Sequence, residues 1–313
     1  MGRYIVRRVA LAIPTLVFLT LVAFLLTSAS KGDPAEAALR AGGTEPTTEA
    51  IAQYREHLGL NDSLIVRYGR WVSNLTKGDL GTSFQSGRSV TDIIGERIGP
   101  TLRLGVTAFI VSTVVGVGLG ILFGIFADTP FDVIGRTISL FLAAIPSFWL
   151  ALLLIRLAAE QWHVLPVAGY GGVRYLILPV IALSCGPAAS LMRFTRSAMI
   201  DVWRQDYVRT GRAKGVSQTK LVFRHALPNA MLPILTLLGM RFGGILAGAI
   251  VIESIFSWPG LGSALINAIS GRDLPIIGAY VLIAGISFVV VNLLTDVGYA
   301  ILDPRVRLDG GRS

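Results

Sequence analysis

Residues 201–228 read DVWRQDYVRTGRAKGVSQTKLVFRHALP, a basic stretch between two long apolar segments. Asp206 is placed to cap a short helix, because its carboxylate can accept hydrogen bonds from amide groups that the first turn leaves free. Gly215 then supplies the left-handed backbone conformation in which helices commonly end. Ser217 is placed to cap a second helix, which must yield at Pro228 because proline lacks the amide hydrogen. The stretch predicts helix, glycine turn, helix, which is more order than a basic loop needs merely to set topology.

The chain on both sides of this stretch is apolar. Of its 313 residues, 53% are hydrophobic and 15% are charged, whereas a soluble domain carries about 25% charged residues. A hydrocarbon core of roughly 30 Å is crossed by about 17 to 25 apolar residues in a helix. Six segments fit that length: 9–30, 104–127, 137–155, 175–192, 226–252 and 274–295. The sequence predicts an all-α integral membrane protein with six transmembrane helices. The first is expected to be retained, because its apolar run exceeds the 7 to 15 residues of a signal-peptide core.

The distribution of Lys and Arg predicts the orientation. Six spans place both termini on one side of the membrane. The segments on that side hold 15 of the 28 Lys and Arg residues, whereas the two short loops on the other side hold only Arg174 and Arg272, besides Arg156 at the edge of the third span. Because positive residues collect in cytoplasmic loops, we expect both termini in the cytoplasm.

Four regions follow from this topology. An N-terminal tail and the first span take up residues 1–30, and an extracytoplasmic insertion takes up 31–98. A five-helix core covers 99–302 and includes the cytoplasmic loop 198–228, and a cytoplasmic tail covers 303–313. Within the insertion, the segment 48–58 is amphipathic and predicts a helix capped by Thr47 or Thr48.

Small residues and charges mark special positions inside the spans. Gly116, Gly120 and Gly124 recur every four residues, a spacing that lets another helix backbone approach closely. Arg241 lies deep in the fifth span, with 15 uncharged residues before it and 11 after it. Because a central charge costs at least about 2.5 kcal/mol, it needs water or a partner. Two interpretations stay open: Arg241 lines a substrate path, or it pairs with Glu253. The candidate path residues are Arg241, Gly244, Gly248 and Glu253.

Several chemistries lack their residues. None of the four lysines follows a glycine, so no phosphate-binding loop of the Gly-Lys-Ser/Thr type exists. His57, His163 and His225 are scattered and show no zinc-type spacing. Cys185 lies in a span, where a thiol is usually a packing residue. We therefore expect no catalytic residue, no metal site and no cofactor in this chain. Nucleic acid is not expected as a partner, since the positive residues collect at membrane boundaries.

The loop resembles a known signature. Gly215, nine residues, then His225-Ala226-Leu227-Pro228 is similar to the coupling loop of bacterial ABC import permeases, whose general pattern has Ile in place of His225. Arg209-Thr210-Gly211 stands where that pattern has Glu-Ala-Ala, a departure that resembles the dipeptide, oligopeptide and nickel branch of the family. Further blocks resemble that branch: Arg3-Tyr4, Gly32-Asp33-Pro34, Leu58-Gly59-Leu60, Arg67-Tyr68, Gly78-Asp79-Leu80-Gly81, Pro259-Gly260-Leu261-Gly262, Arg272-Asp273-Leu274-Pro275 and Asp303-Pro304-Arg305.

The resemblance implies a fold, partners and site residues. It implies a type I ABC importer permease fold, in which this chain pairs with a second homologous permease. Two ATPase subunits, which bind ATP and Mg, would dock in the cytoplasm, and an extracytoplasmic binding protein would deliver peptide substrates. The residues implied in ATPase coupling are Asp206, Tyr207, Arg209, Arg212, Ala213, Lys214, Gly215, Leu227 and Pro228. Nickel chelates or another small solute remain alternatives, as do an intramembrane enzyme and a secondary transporter not driven by ATP.

Overall fold

The computed structural model describes residues 2–28, 34–41, 46–57 and 59–302. Within them the chain is helical, with an isolated bridge between Thr82 and Ser89 and no β-strand. The α-helices are α1 Gly2–Ser28, α2 Pro34–Ala41, α3 Thr48–His57, α4 Leu64–Thr76, α5 Val90–Ile125, α6 Pro130–Ala144, α7 Ser147–Leu154, α8 Val173–Trp203, α9 Asp206–Ala213, α10 Gln218–Lys220, α11 Leu227–Ile255, α12 Leu261–Ser270 and α13 Leu274–Leu302. Two π-helical segments cover Ile155–Gln161 and Leu221–Ala226. The all-α prediction is confirmed.

Among the described residues, four helical segments are long and apolar enough to cross a membrane: Val90–Ile125, Val173–Trp203, Leu237–Ile255 and Leu274–Leu293. The bent pair of α6 and α7 gives a fifth if it counts as one span. Helix α1 covers most of the predicted first span, with a shorter apolar stretch at Ile13–Leu25. The count of six spans therefore stays a prediction. The predicted tail 303–313 lies outside the described residues.

The predicted third span is not one straight helix. Helices α6 and α7, the latter with its π-helical continuation to Gln161, meet at an angle of 99°. The break falls at Ile145 and Pro146, which both have extended backbone conformations. Proline disfavours helical conformation in the residue before it and lacks an amide hydrogen, so the helix ends at Ala144 and restarts at Ser147. The segment 137–155, predicted as the third span, is therefore broken at Pro146.

The described residues form two compact units, of which the first comprises 2–7, 102–258 and 290–302. Its central helix is α8, which packs against α6, α7 and α11. Large side chains in its core, including Leu104, Ile252, Phe256 and Trp258, are almost completely buried. A second buried cluster joins the end of α8 to the start of α11, through residues such as Met199. The two clusters leave α8 covered along most of its length.

Glycines set the spacing between α5 and α8. A Cβ atom at Gly120 would lie 2.5 Å from the Cβ of Thr195, and one at Gly124 would lie 2.6 Å from the Cβ of Met199. A Cβ at Gly116 would lie 2.8 Å from the carbonyl oxygen of residue 188. No side chain fits at these distances, so the two backbones approach closely only because these residues are glycines. The predicted packing stripe is confirmed.

The second unit comprises the described residues of 8–101 and 259–289. Its core joins the start of α5 to α12 and α13. Asp273, which precedes α13, is completely buried and accepts hydrogen bonds from the Ser83 hydroxyl and the amide groups of Phe84 and Gln85. This carboxylate ties the loop before α5 to the loop before α13.

The amphipathic helix predicted in the insertion is present as α3. Its first turn is capped by Thr47, whose hydroxyl accepts a hydrogen bond from the amide of Ala50 at 3.3 Å. Farther along, Tyr68 and Trp71 of α4 pack against Phe24 of α1. The part of the insertion that the structure describes is therefore folded within the second unit.

Candidate functional site

The predicted first helix of the basic loop is α9, a projection of eight residues between α8 and α10. Its Val208 is completely buried, whereas the side chains of Asp206 and Arg209 are 98% and 80% exposed and lie 4.0 Å apart. The amides of Val208 and Arg209 bond to the carbonyl of Gln205. Gln205 is thus the capping residue and Asp206 the first helical residue, so the helix begins one residue earlier than predicted. The negative charge of Asp206 still lies at the positive end of the helix.

Gly215 ends α9 in the predicted manner. Its φ angle is +74°, in the left-handed region that only glycine adopts without strain. Its amide bonds to the carbonyl of Arg212 at 2.9 Å, and the amide of Val216 bonds to the carbonyl of Gly211 at 3.1 Å. These bonds satisfy carbonyl groups that the end of the helix would otherwise leave free. The turn therefore depends on a glycine at position 215.

Three side-chain contacts hold α9 in place. The Arg212 guanidinium lies 4.5 Å from the centre of the Trp203 ring at the end of α8, a cation–π geometry. The Asn229 amide donates to the Tyr207 hydroxyl at 3.2 Å. Gly211 lies against the buried Leu221, whose Cδ2 would be 2.6 Å from a Cβ at position 211. Because these contacts reach α8, the π-helical segment and α11, the helix is fixed against all three.

The second half of the loop differs from the prediction. Ser217 occupies the capping position of α10, but its side chain makes no capping hydrogen bond. The helix does not yield at Pro228: it passes through the π-helical segment Leu221–Ala226 directly into α11. Pro228 lies in the first turn of α11, where a missing amide hydrogen is tolerated. Leu227 packs against the buried cluster that joins α8 and α11.

A groove of about 470 Å³ opens beside α9. Its walls come from the end of α5, the end of α8 and the basic loop 198–228, and its lining residues are Ile125, Trp203, Arg212, Val216, Gln218 and Leu221. The predicted coupling residues on α9 and its turn thus form one exposed surface, with Asp206, Tyr207, Arg209, Ala213, Lys214 and Gly215 all exposed.

The four candidate path residues do not form one surface. All lie on or near α11, but Glu253 is completely buried, Arg241 is half-buried and Gly244 is exposed. A Cβ at Gly248 would lie 3.1 Å from Leu183 of α8, so this glycine serves helix packing. Arg241 and Glu253 are twelve residues apart on one continuous helix, which separates them by about 18 Å. The predicted direct pairing of Arg241 with Glu253 is therefore excluded.

Two charged residues near the loop were missed. Asp132, in the first turn of α6, is completely buried and forms an ion pair with Arg196 of α8. In the sequence, Arg196 reads as one more positive residue of a basic loop and Asp132 as part of a connector. The two residues are 64 positions apart, so the sequence gives no local signal of the contact. In the part of the chain that the structure describes, no three His, Cys, Asp or Glu side chains converge to hold a metal ion.

Comparison with known proteins identifies the family. The model for the binding-protein-dependent transport system inner membrane component matches residues 116–308, which contain the whole basic loop 198–228. The N-terminal model of the same transport systems matches residues 1–105.

The chain belongs to this permease family. The permease is 38% identical over 307 residues to the glutathione transport system permease protein GsiC of Salmonella paratyphi A, covering 98% of this chain and 99% of that protein. It is 37% identical over the same length to GsiC of Escherichia coli strain K12. It is therefore an ABC importer permease and an integral protein of the inner membrane.

Solved structures agree on the fold. The inward-facing MetNI methionine ABC transporter superposes with a TM-score of 0.59 at 15% identity, covering 67% of this chain and 96% of that chain. An amino acid ABC transporter crystallised with histidines gives a TM-score of 0.53 at 16% identity, covering 67% and 94%. The type I importer fold that the loop resemblance implied is confirmed for the permease.

Proposed function

We propose that the permease forms half of the translocation pathway of an ATP-driven importer of short peptides, with glutathione among its substrates. A second homologous permease forms the other half, and an extracytoplasmic binding protein delivers the peptide. The substrate class is supported by the glutathione permeases that share 38% of its residues. ATP and Mg are bound by two partner ATPase subunits, and this chain is a non-catalytic subunit.

The observation that carries the coupling role is the form of α9. The helix is short and exposed; its end is held by the contact of Arg212 with Trp203 and by the Gly215 turn, and its start by the hydrogen bond from Asn229 to Tyr207. A flexible loop would absorb a push from a partner, whereas a helix packed on α8 and α11 passes the displacement to both. We infer that Asp206, Tyr207, Arg209 and the residues through Gly215 contact an ATPase subunit. Leu227 and Pro228 begin the helix that the contact moves.

The same proposal requires one orientation of the chain in the membrane. The coupling loop 198–228 and both termini lie in the cytoplasm, and residues 31–98 lie outside, between the first and second spans. ATP must then bind differently to the inward-facing and outward-facing states of the complex, and α9 is where that difference reaches the membrane helices. Arg241 and Gly244 remain candidate residues of the substrate path, since both retain exposed surface.

The test is transport by the reconstituted complex. The permease, its second permease and two ATPases are placed in liposomes with the binding protein outside, and uptake of radiolabelled glutathione and of Ala-Ala is measured with Mg-ATP inside. We expect ATP-dependent uptake of at least one of the two peptides. Uptake driven by an ion gradient without ATP would refute the proposal in favour of a secondary transporter. If the binding protein retains a nickel chelate and neither peptide, the peptide assignment is refuted.

A charge reversal separates the coupling role from general effects of charge. Arg209→Glu reverses an exposed charge on α9, and Lys77→Glu makes the same change on an exposed residue after α4. Loss of about 1.4 kcal/mol at the ATPase contact corresponds to a tenfold weaker interaction, so Arg209→Glu is expected to lower uptake about tenfold. Equal effects of the two variants would count against α9 as the coupling helix.

A further inference from the structure

The Asp132 carboxylate accepts hydrogen bonds from one arginine and one backbone amide. Arg196 donates from Nη2 to Oδ2 of Asp132 at 2.6 Å and from Nε to Oδ1. The amide of Asp128 donates to the same Oδ2 at 3.0 Å. A two-pronged arginine–carboxylate contact fixes orientation as well as distance. The start of α6 therefore has one defined position relative to α8.

The connector between α5 and α6 is held beside this ion pair. Asp128 has a φ angle of +64°, an uncommon conformation for a residue other than glycine, and its amide is the one bonded to Asp132. A Cβ at Gly124 would lie 3.4 Å from the carbonyl oxygen of Arg196. The last turn of α5, the first turn of α6 and one turn of α8 thus meet around Arg196.

The ion pair favours a defined geometry more than it favours stability. Asp132 is completely buried, and the Arg196 side chain is only 16% exposed. Removing two charges from water is costly, and apolar residues of similar volume often stabilise a protein equally well. The two-pronged contact fixes the relative orientation of the two helices in addition. The contact is therefore suited to transmitting a movement.

The same helix that carries Arg196 also carries the support of α9. Trp203 lies seven residues after Arg196 on α8, about 10 Å along the axis, and its ring lies beneath Arg212 of α9. An unbroken physical connection therefore runs from Arg212 through Trp203 and Arg196 to Asp132. It links the exposed helix of the coupling loop to α6, the first arm of the bent pair.

We propose that the Arg196–Asp132 pair is a strut that makes α6 follow α8 when α9 is displaced by the partner ATPases. The inference rests on the proposed function, because it takes α9 as the contact with those subunits. Asp132 and Arg196 are positioning residues. Without the strut, ATP hydrolysis by the complex would continue while the bent pair no longer moved with α8.

The test measures the movement directly in the assembled transporter. Spin labels are attached at Arg204→Cys, after α8, and at Phe141→Cys, near the far end of α6, in a Cys185→Ser background. Both labelled positions are exposed. The distance between the labels is measured by pulsed electron paramagnetic resonance without nucleotide and with Mg-ATP plus vanadate. With the strut intact, the distance is expected to change by less than about 2 Å, the scale of small helix shifts within a packed unit.

Asp132→Asn removes the charge while keeping the shape of the side chain. In this variant the label distance is expected to change by more than about 2 Å on vanadate trapping, and glutathione taken up per ATP hydrolysed is expected to fall at least tenfold. The control is Glu96→Gln, which removes the ion pair of Arg88 and Glu96, both about half-exposed, and is expected to leave both readouts unchanged.

Two outcomes decide against the strut. If Asp132→Asn assembles with wild-type label distances and coupling, the pair transmits nothing. If Asp132→Asn does not assemble, Arg196→Lys is measured instead, since it keeps the charge and loses the two-pronged contact. Wild-type behaviour of that variant, or its failure to assemble as well, shows a role in folding alone and overturns the inference. A wild-type complex that binds no ATPase subunit fails at the proposed function instead, so the two failures are distinguishable.

Discussion

Replacing Gly120 by alanine is expected to destabilise the contact between α5 and α8. The new Cβ would lie 2.5 Å from the Cβ of Thr195 and 2.7 Å from the carbonyl oxygen of Met192. Carbon atoms in contact are normally about 3.5 to 4.0 Å apart, so the overlap is at least about 1 Å. Rotating a side chain moves neither a Cβ atom nor a backbone carbonyl oxygen, so a change of rotamer cannot relieve the overlap. The two helices must therefore separate.

The magnitude is obtained by comparison with Gly118, two residues earlier on the same helix. A Cβ at Gly118 would meet nothing within 4 Å, and Gly118→Ala has the same gain in helix propensity of up to about 1 kcal/mol. The two variants therefore differ only in overpacking, which typically costs about 1 to 3 kcal/mol. We expect Gly120→Ala to be less stable than Gly118→Ala by that amount.

The assay is unfolding of the purified complex by sodium dodecyl sulfate in mixed micelles, followed by tryptophan fluorescence. The free energies of unfolding of the two variants are compared under identical conditions with the same partner subunits present. Surface changes usually alter stability by no more than about 0.5 kcal/mol. A difference smaller than that between the two variants would refute the claim that glycine at position 120 sets the helix spacing.

Three further outcomes are expected. Gly215→Ala places a Cβ in the left-handed conformation at a cost of about 1 to 2 kcal/mol, so uptake falls while binding of the substrate by the separate binding protein is unchanged. Gly211→Ala is expected to change stability by less than about 1 kcal/mol in the same detergent titration, because only the Cδ2 end of Leu221 must move and helix propensity improves. Asp273→Asn weakens the hydrogen bonds to a charged acceptor, worth about 1.5 to 3 kcal/mol each, including that from Ser83. Faster cleavage of the segment 31–98 by trypsin is then expected, and unchanged cleavage would contradict the importance of this carboxylate.

Features governed by local rules were predictable from the sequence. The left-handed turn at Gly215 and the short helix before it depend on neighbouring residues alone, and both were predicted. The close approach at Gly116, Gly120 and Gly124 followed from their spacing, although the sequence does not say that the partner is α8. The one-residue shift at Asp206 is a small miss, since Gln205 is not a preferred capping residue.

Features that depend on distant residues were not predictable in the same way. The ion pair of Asp132 and Arg196 joins positions 64 residues apart, and one sequence contains no signal for such a contact. The π-helical segment before Pro228 is also set by packing, since it lies against α9 and α11. It lets the chain continue as a helix where proline alone predicts an end.

The bend between α6 and α7 has a consequence for the isolated chain. Helix α6 has 15 residues and is about 22 Å long, so its far end lies well inside a bilayer when its start lies at the edge. Hydrocarbon cannot solvate the amide and carbonyl groups that an interrupted helix leaves free, and such backbone is stable there only beneath protein or water. Pro146, at the corner, is exposed on this chain. In a single chain dispersed in lipid, the free backbone groups at this bend would face hydrocarbon. The chain therefore reaches its lowest free energy only when another subunit or a water-filled channel covers the bend.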